Sequence, residues 1–266
     1  QKKGFYLQEN QGWEFGLVQA WKTKGHGELI GVPHTTIRFW DLRYFFDVKS
    51  YIGNKSKQIP HPDKIAVNGK LMRNMYIDAG YKKGKLIDVE ALRYLYLNEI
   101  YKMNSKIKNN IDTVLLVLGE YLIQNTHHQL CILEDAIPNL RSDLKIIFKP
   151  HPNSPISPSD YSGIDMNVTM DSISNLILKC NIAYTNNITS AAIDAYCANV
   201  PVISVINPQT LNMSPLMGIG GVEFVSKADE LTNAINKIKT GENAVVNPKD
   251  IFWLNPKLPR WKNLLN

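Results

Sequence analysis

Short apolar runs alternate with amphipathic stretches along almost the whole chain, and this alternation restricts the sequence more than any other feature. Residues 112–118 (Asp-Thr-Val-Leu-Leu-Val-Leu), 144–148, 182–185 and 200–206 read as strands. Residues 122–139, 171–180 and 189–198 between them read as helices; Ile173, Leu176, Ile177 and Cys180 recur at i, i+3, i+4, i+7. Strands and helices in strict alternation predict an α/β fold with mainly parallel sheets.

The first part of the chain repeats the scheme less clearly. Strands are expected at 4–9, 28–32 and 64–68. Helices are expected at 11–23 (Trp13, Leu17, Ala20 and Trp21 on one side), at 72–79 with Gly80 as its stop, and at 89–103. Residues 34–57 read as a long aromatic loop with one short helix. The lysine-rich stretch 102–110 reads as a linker. Residues 1–110 are therefore expected to form a partial N-terminal Rossmann-like unit and 111–240 a second one, with 241–266 an extended strap. Asp171 is the expected cap of the helix after the Pro/Ser-rich loop 153–169. Ser226-x-x-Asp229 has the form of a capping box before 230–239. The chain opens Gln1-Lys2-Lys3 without an initiating Met, so the first unit is expected to be incomplete.

Composition narrows the partners. The 266 residues carry 30 Lys+Arg against 24 Asp+Glu, a net +6 that favours an anionic partner: a nucleotide, a phosphorylated substrate or an acidic membrane surface. Nucleic acid is not expected, because no block of five like charges occurs. The three cysteines form no CxxC, which argues against a disulfide frame or a zinc site and for a reducing cytoplasm. No apolar run reaches the roughly 18 residues of a membrane-spanning helix.

Lys149-Pro150-His151-Pro152 follows the strand 144–148 directly. Ligand crevices of open α/β sheets lie beyond the carboxyl ends of the strands. The two prolines stiffen the backbone around His151, so imidazole and Lys149 ammonium suit a phosphate; a rigid surface loop is the equal alternative. In Asn186-Asn187-Ile188-Thr189-Ser190 a strand gives way to a helix at adjacent hydroxyls. The N–H groups of a first turn can hold an anion; plain capping is the favoured reading for this turn alone, and phosphate binding the better one in combination with His151 on the neighbouring strand end. Asp194, one turn on, reads first as a packing carboxylate, and Gly218-Ile219-Gly220-Gly221 as an ordinary turn. In the first unit Glu9, Asn10 and Glu14 cluster after a strand, where a carboxylate can act as base or nucleophile. His34 follows the next strand. Arg38 and Arg43 could hold an anionic sugar or acceptor, or pair with Asp41 to brace the loop. GxGxxG, Walker A, HExxH, GxSxG and Asp-x-Asp are absent, so neither a metal nor a bound cofactor is expected.

Taken together, Lys149-Pro150-His151-Pro152, the helix 171–180, the Asn-x-Thr-Ser turn and Ala195-Tyr196-Cys197-Ala198-Asn199-Val200-Pro201-Val202 resemble the donor half of GT-B glycosyltransferases of bacterial surface polysaccharides, including sialyltransferase-like and Kdo-transferase-like enzymes. Glu9-Asn10-Gln11-Gly12-Trp13-Glu14 and Phe39-Trp40-Asp41-Leu42-Arg43-Tyr44-Phe45 resemble the surface carbohydrate biosynthesis protein family. The resemblance implies a metal-independent glycosyltransferase that moves a sugar, CMP-activated nonulosonic acid or Kdo among the candidates, to a surface glycan or glycolipid. Lys149, His151, Asn187, Thr189 and Ser190 would bind the donor phosphate; Glu9, Glu14 and His151 would be catalytic; Asn10, His34, Arg38 and Arg43 would meet the acceptor. The location implied is the cytoplasm, with peripheral contact to the inner membrane. A nucleotide-sugar epimerase or hydrolase on the same scaffold, and a non-catalytic module of an assembly complex, are the alternatives. The Asp-Asp-Gly type motif of some sialyltransferases is missing.

Overall fold

The computed structural model describes residues 1–38, 40–50, 58–104, 113–238 and 251–266. Phe39, most of the expected linker, Asp112 and residues 241–250 of the expected strap lie outside the described residues. The chain divides into two α/β units, one of residues 1–96 with 249–266 and one of 97–248.

The first unit carries a four-stranded, wholly parallel sheet in the order β1 (Lys3–Leu7), β2 (Glu28–Val32), β3 (Lys64–Val67), β4 (Leu86–Asp88). Helices α1 (Gly12–Thr23) and α2 (Lys70–Asp78) connect the strands. Both helices end on a left-handed glycine, Gly25 at φ 68° and Gly80 at φ 88°, the conformation glycine adopts at least cost. The buried side of α1 is Glu14 and Val18, not Trp13, which is 63% exposed. The helix is turned because the Glu14 carboxylate folds inward onto the preceding loop. No single helix spans 89–103. The chain makes β4, a short 3-10 turn Leu92–Tyr94 and then α3 (Leu97–Asn104), which begins the second unit.

The described end of the tail is not purely extended. Helix α8 (Pro259–Leu265) belongs to the first unit, and the buried Glu90 carboxylate accepts the backbone N–H groups of Arg260 and Trp261 and the Arg260 guanidinium, each at 3.2 Å. The first-turn N–H groups of a helix lack partners within it, so Glu90 seats this helix.

The second unit is built on six parallel strands in the order β10 (Val222–Val225), β9 (Val202–Val205), β8 (Ile182–Asn186), β5 (Thr113–Leu118), β6 (Leu144–Lys149), β7 (Met166–Val168). The chain winds outward from β5 to β7, returns to the other side of β5, and winds out again. That is the doubly wound Rossmann order, with its reversal between β5 and β8. Helices α4 (Ile123–Ala136), α5 (Ile173–Ile177), α6 (Ala191–Cys197) and α7 (Ala228–Lys237) cover it. Leu115, Leu130, Phe148, Ile182, Tyr184 and Ile203 are fully buried in its core. Truncating a ring such as Phe148 to Ala in such a core costs about 3–5 kcal/mol.

Strand β7 lies in the stretch 153–169 that reads as loop, and β10 in a stretch after the Gly218–Gly221 turn to which the sequence assigned no element. The cap of α5 is Ser172, whose Oγ accepts the Asn175 N–H at 3.3 Å, and not Asp171. Ahead of α7 it is Glu230, not Asp229, that receives the Ser226 N–H and hydroxyl.

Candidate functional site

The reversal of winding between β5 and β8 opens a crevice beyond their carboxyl ends. Leu118 at the end of β5 stands in register with Lys149 on one side and Thr185 on the other. The segments following β6 and β8, which carry His151 and Thr189-Ser190, therefore flank the segment following β5. Neighbouring strands are about 4.8 Å apart, so the ends of β6 and β8 stand about 10 Å from each other.

Gly119 fills the space between. Its N–H donates to the Lys149 carbonyl at 2.9 Å, and a Cβ here would approach the His151 nitrogen and Pro150 Cα at 3.2 Å. A side chain here would press the Pro150-His151 backbone away by a few tenths of an ångström. His151 is half-buried and its orientation is fixed twice. Its Nδ1 accepts the Asn153 N–H at 3.2 Å, and the Tyr121 ring meets the imidazole edge-on at 5.5 Å between centroids. A ring whose Nδ1 accepts carries its proton on Nε2 when neutral, so Nε2 is a donor. Among the described residues, Lys149 Nζ makes one long bond of 3.4 Å, to the Met170 carbonyl.

On the β8 side, Ser190 is the N-cap residue immediately ahead of α6 and makes no side-chain cap bond. Thr189 Oγ1 turns back to the Ala191 N–H at 3.4 Å. Both are half-buried, whereas every residue of α6 is buried. Asn187 has a different task. Its amide donates to the Leu211 carbonyl at 3.0 Å and accepts the Met213 N–H at 2.7 Å, so both ends of the side chain hold the loop after β9. Asp194 is 8% exposed within α6. Burial, and then the Asp194 carboxylate, pushes the Cys197 thiol up, which keeps it protonated and un-nucleophilic.

A polar chain that the sequence reading missed crosses the reversal. The buried Glu120, directly after Gly119, accepts the Asn125 amide at 2.8 Å, and the Asn125 carbonyl accepts the Asn186 amide at 2.6 Å. The available signal was a Gly-Glu pair immediately after the most apolar strand.

In the first unit, β1 and β2 are adjacent with Leu7 opposite Val32, which brings together the residues that follow them. Glu9 Oε1 lies 3.7 Å from His34 Nε2, both partly exposed. Asn10 is left-handed (φ 54°), and its amide accepts from Gln8 at 2.9 Å and donates to the Arg43 carbonyl at 2.5 Å. Glu14 stands apart from this open pair. It is 2% exposed, and its carboxylate accepts the N–H groups of Glu9, Asn10 and Gln11. The Arg43 guanidinium grips Asp41 through two bonds of 2.9 and 2.7 Å, which bolts the aromatic loop together and raises the Arg43 pKa through the hydrogen bond to Asp41. Arg38 is half-buried, and its carbonyl accepts the Asp41 N–H at 3.0 Å.

Sequence comparison finds no matching family model and no matching curated protein. Solved structures do match. UDP-GlcNAc 2-epimerase of Methanocaldococcus jannaschii, solved with UDP-GlcNAc and UDP, aligns at TM-score 0.55 and 16% identity over 88% of this chain and 69% of its own. Staphylococcus aureus MnaA, solved with UDP, aligns at 0.55 and 13% over 88% and 64%. The kitacinnamycin glycotransferase aligns at 0.51 and 12% over 86% and 65%. The fold is GT-B-like. The chain spans 64–69% of the lengths of these three proteins. Among the described residues no helix is long and apolar enough to cross a membrane.

Proposed function

We propose that this chain is a nucleotide-sugar-utilising enzyme of GT-B architecture whose second unit holds the nucleotide's phosphate at the β5/β8 reversal. One observation carries the reading: the strand order sets the His151 donor and the opening of α6 on the two sides of Gly119. Nε2–H of His151 and the Lys149 ammonium would donate to phosphate oxygens from one side, and the Ser190 hydroxyl with the neighbouring N–H groups from the other. Donors fixed before the substrate arrives stabilise the charge that grows on a leaving phosphate. Glu120, Asn125 and Asn186 would keep the floor of the crevice in shape. The first unit carries its own candidate acid–base pair, Glu9 with His34, suited to taking a proton from a hydroxyl; Glu14 and Arg43 keep their loops in place.

Glycosyl transfer to a surface glycan is the reading we favour, on the strength of the sequence resemblance. UDP is the first nucleotide to try, because the neighbours from M. jannaschii and S. aureus were solved with it, and CMP is the second. An epimerase or hydrolase uses the same phosphate site, and the likeness to the M. jannaschii protein supports it equally. A thermal-shift panel of UDP, CMP, CDP, GDP and ADP tests the site. A ligand at a hundred times its Kd stabilises by about 2.7 kcal/mol, so one nucleotide should raise Tm selectively; a panel with no response overturns the proposal. Turnover of the matching nucleotide sugar without any acceptor would decide for the epimerase or hydrolase.

A further inference from the structure

The first unit contains a cavity of about 750 Å³ that the phosphate site does not use. It lies at the opposite end of the sheet from Glu9 and His34. Its walls come from Glu28, Asp63 and Lys85, which begin or immediately precede β2, β3 and β4, and from the ends of α1 and α2. The volume falls within the ordinary range of small-molecule sites, roughly 300–1,000 Å³.

The lining is cationic and donor-rich, with Lys22, Lys82, Lys85, His26 and His61; Tyr81 also lines it, its hydroxyl donating to the Tyr44 carbonyl at 3.1 Å. The two acidic groups are already engaged. Glu28 pairs with Lys64 at 2.9 Å, and Asp63 accepts the Leu29 N–H at 2.9 Å. Lysines often gather at helix C-termini to meet unpaired carbonyls. That explanation is not required here. The carbonyls of Trp21 and Lys22 accept the N–H groups of His26 and Gly25, and those of Tyr76 and Ile77 accept from Tyr81 and Gly80. Each helix thus ends in a complete Schellman turn, and each turn delivers its last residue, His26 or Tyr81, to the cavity wall. Lys22 Nζ is anchored on the His61 carbonyl at 2.6 Å.

We infer that this cavity binds a small anionic metabolite with a hydroxylated body, its phosphate or carboxylate held by Lys22, Lys82 and Lys85 around His61. The His61 imidazole is a built-in reporter. Burial first, and then Lys85 and Lys22, depress it to about 4. Burial lowers Lys22 as well, opposed by Asp63 and reinforced by Lys85. An anion placed among these groups reverses the repulsion, so His61 must titrate at higher pH when the site is filled.

The experiment is histidine side-chain NMR on the full chain, titrated with inorganic pyrophosphate, glucose 6-phosphate, glucuronate and, as the neutral control, glucose. The His61 signals should move saturably with pyrophosphate and its midpoint should rise. The stronger of glucose 6-phosphate and glucuronate names the anion. Lys82→Gln/Lys85→Gln, at two exposed positions, should weaken the response about tenfold. His151→Ala should leave it unchanged, which separates this site from the one in the second unit. No movement of His61 at millimolar anion, an equal response to glucose, or an unaltered response in the double lysine variant overturns the inference, whatever the nucleotide panel shows.

Discussion

Replacing His151 by Ala removes one donor from the proposed phosphate site and little else. The imidazole is half-buried, its Nδ1 is held by the Asn153 N–H, and it meets the Tyr121 ring edge-on. Such a ring pair is worth about 0.5–1.5 kcal/mol, so stability should fall by about 1–2 kcal/mol, and the prolines on both sides keep the loop stiff. Binding should suffer more. A hydrogen bond to a charged group contributes about 1.5–3 kcal/mol, which at 1.36 kcal/mol per decade weakens nucleotide binding about 10- to 150-fold. His151→Gln places an amide donor near the former Nε2 and should recover part of the loss. Isothermal titration of the three proteins with the nucleotide picked out by the thermal panel measures this directly. If the Ala variant binds as tightly as the parent and folds as well, the phosphate does not lie on His151 and the reasoning from strand order fails.

Four further outcomes follow from individual contacts. Ser172→Ala should cost about 1 kcal/mol by losing the α5 cap, whereas Asp171→Ala should cost almost nothing; urea melts of both variants test the assignment. Glu90→Ala should destabilise the first unit by about 2–3 kcal/mol, because it leaves N–H groups of Arg260 and Trp261 without their acceptor; calorimetry would show the lower transition. Asn187→Ala should release the loop after β9, seen as faster hydrogen exchange around Met213 while the core amides stay protected. His61 sits near 4 in the fold against the usual 6.5, so the unfolded chain binds the extra proton between those values. Stability should therefore be lost as pH falls from about 6.5 to 4, by at most about 3 kcal/mol. Denaturation of His61→Gln across that range should show a flatter profile.

Legibility in the sequence followed burial. β5 and β8 are buried on both faces and mostly apolar and could be read directly, as could the Gly80 stop of α2. β4, β7 and β10 run for only three or four residues with half-exposed patterns at the edges of their sheets, too short for a period to emerge. α1 was misphased because its inward residue, Glu14, is a carboxylate that hydrophobic periodicity cannot anticipate. At the candidate site the Lys-Pro-His-Pro loop announced itself through local stiffness. Glu120, Asn125 and Asn186 did not, since their importance comes from strand order, and strand order is set by pairings between residues about 70 apart in the chain.

The first unit is stitched from two separate segments, residues 1–96 and 249–266, with Glu90 holding a helix contributed by residues 259–265. On the ribosome, residues 97–248 have all emerged before that last piece is made, so the later unit can finish folding while the earlier one still waits with a buried carboxylate unanswered. A stop codon near position 250 would consequently injure the unit of residues 1–96 rather than that of 97–248, and an expression fragment of residues 1–96 should be insoluble where one of residues 97–248 is not.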